Sequence, residues 1–345
     1  MKTQRGSAAA VLGMLLAMVV AFLPGSRAFA AQATPPSSPV ASPVAGGGIV
    51  AATQWLVAQQ GEDGSFLGFS GEPDAGTTVD ALVALAAAKS AGIDTGTAMD
   101  KAVSYLESGD VALVYTQTGV GQAAKLVLAL IAAGVDPTDF GHVTPILIVE
   151  HGMNDETGIY GGGFFDHALA ILALKATGSE IPASALDAIQ AGQAPNGGWA
   201  FDGSADDANV DGNTTAMVLQ ALAAMGEQGS DLATRGVAYL KATITEGGAS
   251  YNAAEGSLPD ANSTALAVQG LLAAGEDVSG LSAALATFQN ADGSFFYQDS
   301  MPGPNLLATV QAIPAEAGAI LPIVPAAATT AAPLRAFPAP LTLAA

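Results

Sequence analysis

The amino-acid sequence predicts an all-α protein, an (α/α)6 toroid of six helical hairpins. Apolar helical segments alternate with loops rich in Gly, Asp, Asn and Pro. The apolar segments carry Ala-Leu-type pairs about 46 residues apart, a period typical of helical repeat proteins. A seven-residue pattern, Gln-x3-Gly-x-aromatic, occurs three times between the segments. Each hairpin of such an array buries its apolar face against its neighbours.

The chain begins with a segment that is typical of a secretory signal peptide. Lys2 and Arg5 precede an apolar run over 8–23, and 28–30 (Ala-Phe-Ala) provide a small-x-small cleavage site. We therefore expect residues 1–30 to be removed and the protein to be exported, to the periplasm, the cell surface or the medium. The alternative is an uncleaved N-terminal helix that tethers the protein. Residues 31–47 are rich in Pro, Ala and Ser and predict a flexible linker.

The folded body is predicted over 48–321, and the Ala- and Pro-rich residues 322–345 predict a loose tail. Ala and Leu dominate the body and favour helix. Every second segment is almost wholly apolar, which is typical of a helix buried on most sides. The predicted helical segments are 49–60, 78–90, 97–107, 121–133, 143–151, 164–176, 183–193, 214–225, 230–241, 263–274, 281–289 and 306–317.

The apolar segments can be aligned on their shared pairs. These are Ala84-Leu85, Ala129-Leu130, Ala173-Leu174, Ala221-Leu222, Gly270-Leu271 and Ala312-Ile313. An open solenoid needs polar caps at both ends, and the sequence shows none that are distinct. We therefore favour a closed ring whose apolar helices form an inner barrel.

The seven-residue pattern is predicted to be a structural joint between hairpins. Gly permits a tight turn, the aromatic residue covers it, and the Gln amide can satisfy backbone groups at a helix end. Phe in two of the three copies favours packing over a ligand platform at Trp199. The three copies comprise Gln60, Gly64 and Phe66, then Gln193, Gly197 and Trp199, then Gln289, Gly293 and Phe295.

Composition excludes several classes of function. The formal net charge is −21, which disfavours nucleic acid and anionic membrane surfaces as partners. The chain has no Cys, so thiolate zinc sites, Cys nucleophiles and internal thioesters are excluded. We expect no stable membrane span in the mature chain. The acidic loop over 202–211 has oxygen ligands that suit calcium, but its spacing does not match an EF-hand, and a solvated loop is favoured.

The repeat resembles that of terpenoid cyclases and protein prenyltransferase β-subunits, on the strength of Gln-x3-Gly-x-Trp/Phe between hairpins. Residues 213–226, 262–275 and 305–315 are also similar to the helical domain of cobalamin-binding transport proteins, such as intrinsic factor and transcobalamin. The resemblance covers 48–321 and implies a toroid. The chain lacks the Asp-x-Asp-Asp and Asp-Asp-x-x-Asp motifs of the cyclases and the Cys of the prenyltransferase zinc site.

Candidate ligand residues lie near the starts of the apolar segments. N-capping explains part of this polarity. Counting back from the shared pairs gives a polar ring of Thr77, Gln122, Asp166, Thr214, Ser263 and Asn305. Asp80 and Lys125 hold equivalent positions and are expected to pair. Gln220, Gln269 and Gln311 share one deeper position in this alignment. The residues predicted to bind ligand are Gln122, Asp166, His167, Thr215, Gln220 and Gln269. No residue is predicted to be catalytic or to bind metal.

Three hypotheses about function follow. The first is an exported, non-catalytic protein that binds a small molecule, with cobalamin as a possible ligand. Cobalamin carriers close their site with a second domain, so a separate protein or domain would have to do so here. The second is an enzyme, either terpenoid cyclase-like or a glycan-active toroid. The third is an interaction module that uses the acidic outer surface.

Overall fold

The computed structural model describes residues 47–325. The predicted signal peptide, most of the linker and most of the tail lie outside the described residues. Within them, the helices are α1 (Ile49–Ala58), α2 (Ala75–Ser90), α3 (Ala98–Glu107), α4 (Val111–Thr116), α5 (Val120–Ala133), α6 (Pro145–Glu150), α7 (Phe164–Thr177), α8 (Ala183–Gly192), α9 (Gly212–Met225), α10 (Asp231–Ala242), α11 (Ala261–Ala273), α12 (Ser279–Ala286) and α13 (Leu306–Glu316).

Short antiparallel hairpins of two-residue strands interrupt three of the loops. Strands β1 (Phe66–Leu67) and β2 (Pro73–Asp74) pair, as do β3 (Trp199–Ala200) with β4 (Val210–Asp211) and β5 (Ile244–Thr245) with β6 (Gly248–Ala249). The sequence analysis did not predict these strands, nor the short helix α4. No helix among residues 47–325 is both long and apolar enough to cross a membrane.

The six apolar helices form a closed inner barrel. In the order α2, α5, α7, α9, α11 and α13 each packs on the next, and α13 packs on α2. Helices α1, α3, α6, α8, α10 and α12 pack around the outside. The predicted all-α toroid of six hairpins and the preference for a closed ring are therefore confirmed.

Four of the six inner helices, α2, α9, α11 and α13, begin in one recurring way. An Asp or Asn at the N-cap accepts a hydrogen bond from a backbone N–H three residues later, as Asp211 does from Thr214 at 2.7 Å. The fourth residue after the cap is usually Thr. Thr215 Oγ1 donates to the Asp211 carbonyl and accepts from the backbone N–H of Trp199 in the preceding joint. Thr78, Thr264 and Thr309 make the matching pair of bonds.

This pattern corrects the predicted alignment of the last unit by three residues. Asn305 is the N-cap of α13 and matches Asp211, not Thr214. Gln311 therefore belongs with Asp80 and Lys125. Pro314 takes the position that Gln220 occupies in α9. The error arose because the pair Ala312-Ile313 looked equivalent to the pairs of the other helices.

The Gln joint connects each turn to the next outer helix. Gln60 Nε2 donates to the Gly64 carbonyl within its turn and to the Ala98 carbonyl at the start of α3, both at 2.9 Å. Gln193 makes the same two bonds, to Gly197 and to Leu232 of α10. In both copies the Gln amide therefore joins its own turn to the start of the next outer helix.

The third copy of the joint closes the ring. Gln289 Nε2 donates to the Gly48 carbonyl at 2.9 Å, and its Oε1 accepts from the Gly48 backbone N–H at 2.7 Å. These bonds join residues 241 positions apart in the chain. The last joint thus bonds to the start of α1, which takes the place of the next outer helix. The array of hairpins therefore has no free end.

Candidate functional site

The N-terminal ends of the six inner helices surround one opening of the barrel, which we call the mouth. In five of the six inner helices, a Thr or His four residues after the N-cap points outward and bonds to a joint, and α5 has Ala123 there. The residue two positions later lies on the opposite face of its helix and points into the barrel. These inward positions hold Asp80, Lys125, Leu169, Met217, Leu266 and Gln311. Two of the six are charged, which the repeat itself does not require.

Asp80, Lys125 and Asp166 form a group on α2, α5 and α7 that we call the charged cluster. Lys125 Nζ lies 2.7 Å from Asp80 Oδ1, and both side chains are about one-fifth exposed at 21% and 18%. The predicted ion pair is confirmed. Asp166 packs against Gly121 of α5, and its Oδ2 accepts from the Gly162 backbone N–H at 3.1 Å.

The pKa of Asp166 is raised chiefly by burial, while the Gly162 N–H and the charge of Lys125 lower it in part. Tyr115 of α4 lies above this group, against Gly76 at the start of α2. Its pKa is raised by burial and by the nearby carboxylates of Asp80, Asp74 and Asp166. The half-buried carboxyl group of Asp166, the ion pair of Asp80 with Lys125 and the phenol of Tyr115 therefore share one side of the mouth.

His167, predicted to bind ligand, is fully buried and bonded through both ring nitrogens. Its Nδ1 accepts from the Tyr160 backbone N–H at 3.0 Å, and Nε2 lies 3.0 Å from the Ala185 carbonyl. The two partners fix the neutral tautomer that carries the proton on Nε2. Burial lowers the pKa of His167 to about 4. His167 thus occupies the slot that Thr215 fills in α9, where both residues hold a joint.

The other candidate residues lie at two depths. Gln122 is half-buried at the third position of α5, beside Asp166 in the repeat alignment. Gln220 is buried one turn below the mouth, and its Oε1 accepts from the Leu321 backbone N–H at 2.9 Å. Gln269 is buried at the same depth, with Nε2 3.3 Å from the Ala265 carbonyl. Ligand binding by these side chains stays a prediction.

The opposite side of the mouth, on α9, α11 and α13, is polar and short of partners. Within the described part of the chain, four buried side-chain oxygens there have no hydrogen-bond partner: Asp211 Oδ2, Asn213 Oδ1, Asn262 Oδ1 and Gln311 Oε1. Thr214 Oγ1 is a fifth. Burial raises the pKa of Asp211 and of Asp260 to about 6 against the backbone and side-chain bonds that lower it. Unsatisfied buried acceptors are costly and are commonly found where a ligand binds.

Three aromatic residues border this side of the mouth and form what we call the aromatic arc. Phe201, Tyr251 and Tyr297 each follow a joint by two residues. The Tyr251 carbonyl accepts from Gly212 N at 2.7 Å, and the Tyr297 carbonyl accepts from Ala261 N at 2.9 Å. The Phe201 carbonyl lies against Gly163. All three side chains are partly exposed.

The N-cap carboxylates affect the pKa values of the two tyrosines in the aromatic arc. Burial and then Asp211 raise the pKa of Tyr251, and burial and then Asp260 raise the pKa of Tyr297 to about 12. Both phenols are therefore protonated at neutral pH and can donate a hydrogen bond. Tyr251 does not take the aromatic position of the joint in its own unit. Ala249 holds that slot instead, since its N–H bonds to Thr264 Oγ1.

The barrel is filled below the mouth. Leu169, Met217 and Leu266 are buried at the first inward level, and Leu128 and Leu172 lie beneath them. Two surface grooves of about 570 Å³ and 410 Å³ lie between neighbouring outer helices, at α8–α10 and α1–α3, away from the mouth. Among residues 47–325, no group of three or more His, Asp and Glu is placed to hold a metal ion.

Comparisons with solved structures match the toroid. The chain is similar to the type II terpene cyclase MstE from Scytonema, with a TM-score of 0.54 and 14% identity over 78% of this chain and 96% of that one. This likeness agrees with the α/α toroid described above for the present chain. A glycosidase matches with a TM-score of 0.53, 13% identity and coverage of 80% and 98%. Cellobiose 2-epimerase from Bacillus thermoamylovorans B4167 matches with a TM-score of 0.51 and 12% identity over 76% of this chain and 94% of that one.

No protein-family model and no curated protein matches the sequence. The leading hypothesis of a non-catalytic, cobalamin-binding protein is corrected by these comparisons. The solved structures described above are of enzymes, a terpene cyclase, a glycosidase and an epimerase, and this favours the enzymatic alternative. The likeness to cobalamin carriers rested on the apolar inner helices, whose composition follows from burial in any such barrel.

Most of the mouth was not predicted from the sequence. The predicted ligand residues do not include Tyr115, Asp211, Asn262 or the aromatic arc. One available signal was the aromatic residue two positions after the joint, which occurs in the last three units and is Gly68 and Gly162 in two others. The unpartnered oxygens had no such signal, because only the packing of α9, α11 and α13 shows which polar atoms find partners.

Proposed function

We propose that the protein is an exported enzyme that performs acid–base catalysis on a carbohydrate at the mouth of the barrel. The charged cluster carries this proposal, because two of its members, Asp80 and Lys125, are charged at inward-facing positions of the repeat. Three of the six equivalent positions hold Leu or Met. Charges placed in a ring that is half apolar cost free energy that the fold does not require, and such sites are commonly functional.

The residues of the cluster suit two complementary roles. Asp166, with its raised pKa, is the candidate general acid. Asp80, which lies 2.7 Å from Lys125 Nζ, is the candidate base. A protonated and an ionised carboxyl group are what glycoside hydrolysis needs. Epimerisation at a sugar carbon requires a similar pair, one group to remove a proton and one to return it.

The shape of the mouth favours a carbohydrate over an isoprenoid. A cyclase must enclose a long apolar chain, whereas Leu169, Met217 and Leu266 fill the barrel below the mouth. The accessible surface instead combines carboxyl groups, amides and aromatic rings. This mixture matches a substrate with hydroxyl groups along its edge and apolar faces on its rings.

The test is a panel of neutral oligosaccharides, with products followed by mass spectrometry and by new reducing ends. We expect Asp166→Asn to reduce turnover by about 10²–10⁴-fold, the usual contribution of a general acid or base. Asp187→Asn, on the exposed face of α8, is the matched control and should retain activity. Full turnover by Asp166→Asn, or conversion of a polyprenyl substrate instead, would overturn the proposal.

A further inference from the structure

We infer that the α9–α11–α13 side of the mouth is a separate sugar-binding subsite, so that the substrate is an oligosaccharide of at least two rings. The inference rests on the proposed function and names the substrate class more closely. Two independent observations carry it: a set of buried oxygens that lack partners, and the aromatic arc beside them.

The unpartnered oxygens come from three adjacent inner helices. Asp211 is 1% exposed and Asn262 is 8% exposed, yet Asp211 Oδ2 and Asn262 Oδ1 find no partner within residues 47–325. Asn213 and Asn262 occupy equivalent positions on α9 and α11, and Gln311 of α13 lies one level deeper. Such groups are satisfied when a ligand brings hydrogen-bond donors. Sugar hydroxyls can donate to these oxygens and can also accept from the amide nitrogens.

The aromatic arc supplies the apolar partner of the same subsite. Tyr251 and Tyr297 flank the N-termini of α9 and α11, which carry Asp211 and Asn262. A tyrosine offers a flat apolar face and a donor hydroxyl. Burial and the neighbouring carboxylates keep both phenols protonated. A sugar ring has an apolar face and polar edge, so one ring can contact the arc while its hydroxyls reach the amides.

The two halves of the ring of inner helices then have different roles, one in catalysis and one in binding. The charged cluster lies on α2, α5 and α7, and the subsite lies on the three inner helices that complete the ring. A single ring bound at the charged cluster leaves the oxygens of the other half unpaired. A second sugar ring satisfies them, which predicts tighter binding of oligosaccharides than of their monosaccharides.

The experiment measures binding in Asp166→Asn, which removes the candidate general acid. Isothermal titration calorimetry with cello-, xylo- and malto-trioses and the matching monosaccharides gives the Kd values. We expect at least one triose to bind, with a Kd at least about tenfold lower than that of its monosaccharide, the value of one or two added hydrogen bonds. Adding Asn262→Leu or Tyr251→Leu should raise the Kd for the triose about tenfold and leave monosaccharide binding unchanged. Tyr105→Leu, on outer helix α3, is the control.

Two results would overturn the subsite. One is an unchanged triose Kd in both variants, with folding verified by circular dichroism. The other is equal affinity for triose and monosaccharide. Failure of the proposed function looks different: Asp166→Asn would then turn over substrate normally, while the binding measurements remain readable.

Discussion

At the scale of single residues, the N-cap aspartates of α9 and α11 are built into the fold at a cost. Burial holds the pKa of Asp211 and Asp260 at about 6, above the ordinary 3.8. The folded state therefore binds protons more tightly than the unfolded state. The contribution of each group to stability is complete below pH 3.8 and is lost as the pH rises through about 6.

We predict that Asp211→Asn stabilises the protein at neutral pH. Asn caps α13 in the same slot, where Asn305 Oδ1 accepts from Ala308 N at 2.9 Å. The amide keeps the cap and removes the ionisation. Relative to the wild type, the variant should gain on the order of 3 kcal/mol between pH 3.5 and pH 7.5. Urea unfolding at both pH values measures this gain, and Asp74→Asn, at the exposed cap of α2, should show no comparable gain.

The contribution of His167 to stability depends on pH in the opposite direction. Its pKa falls from 6.5 to about 4 on folding, so its contribution is present above pH 6.5 and is lost as the pH falls toward 4. His167→Thr restores the residue found in four of the equivalent slots. The stability advantage of the wild type over this variant should shrink by about 3 kcal/mol from pH 7.5 to pH 4. A constant difference across that range, measured by thermal unfolding, contradicts a buried neutral His167.

At the scale of elements, the joint depends on a close approach of its Gly to the next outer helix. Gly197 has φ +96°, and a Cβ there would lie 2.6 Å from the Arg235 carbonyl oxygen of α10. Gly64 and Gly293 meet the Lys101 and Ala51 carbonyls in the same way. The glycine thus sets the spacing between consecutive hairpins.

We predict that Gly197→Ala is much more destabilising than Gly178→Ala. Gly178, at the end of α7, has φ +74° but open space around its Cβ position. It reports the cost of the left-handed backbone alone, about 1–2 kcal/mol. The collision at Gly197 should add at least about 2 kcal/mol. Equal losses in urea unfolding would mean that the contact with α10 relaxes freely.

At the scale of the whole molecule, Gln289 makes the toroid a ring. We predict that Gln289→Ala lowers the hydrogen-exchange protection of α1 and α13 selectively, because the bonds to Gly48 are lost. Gln60→Ala removes the equivalent bond to Ala98 and is the matched control. It should loosen the start of α3 and leave α1 protected. Uniform loss of protection in both variants would show that the joints do not act locally.

The toroid could be predicted from the amino-acid sequence alone, and so could the joints and the pair formed by Asp80 and Lys125. These follow from local rules: helix propensity, the repeat period, and the need of a buried charge for a partner. It misplaced the last unit, since Ala312-Ile313 fits two alignments of an apolar helix equally well. It also led toward a carrier, because apolar inner helices occur in any toroid of this kind.

The roles of the polar residues near the helix starts depend on the tertiary structure. In the sequence, Asp166, His167 and Thr215 are all polar residues at the start of an apolar segment. In the structure, His167 and Thr215 bond to joints, whereas Asp166 borders the mouth. The difference lies in direction, because successive helical residues point about 100° apart and only packing shows which direction is inward. Likewise, whether the side-chain oxygens of Asp211 and Asn262 find hydrogen-bond partners depends on residues that other units of the closed ring place beside them.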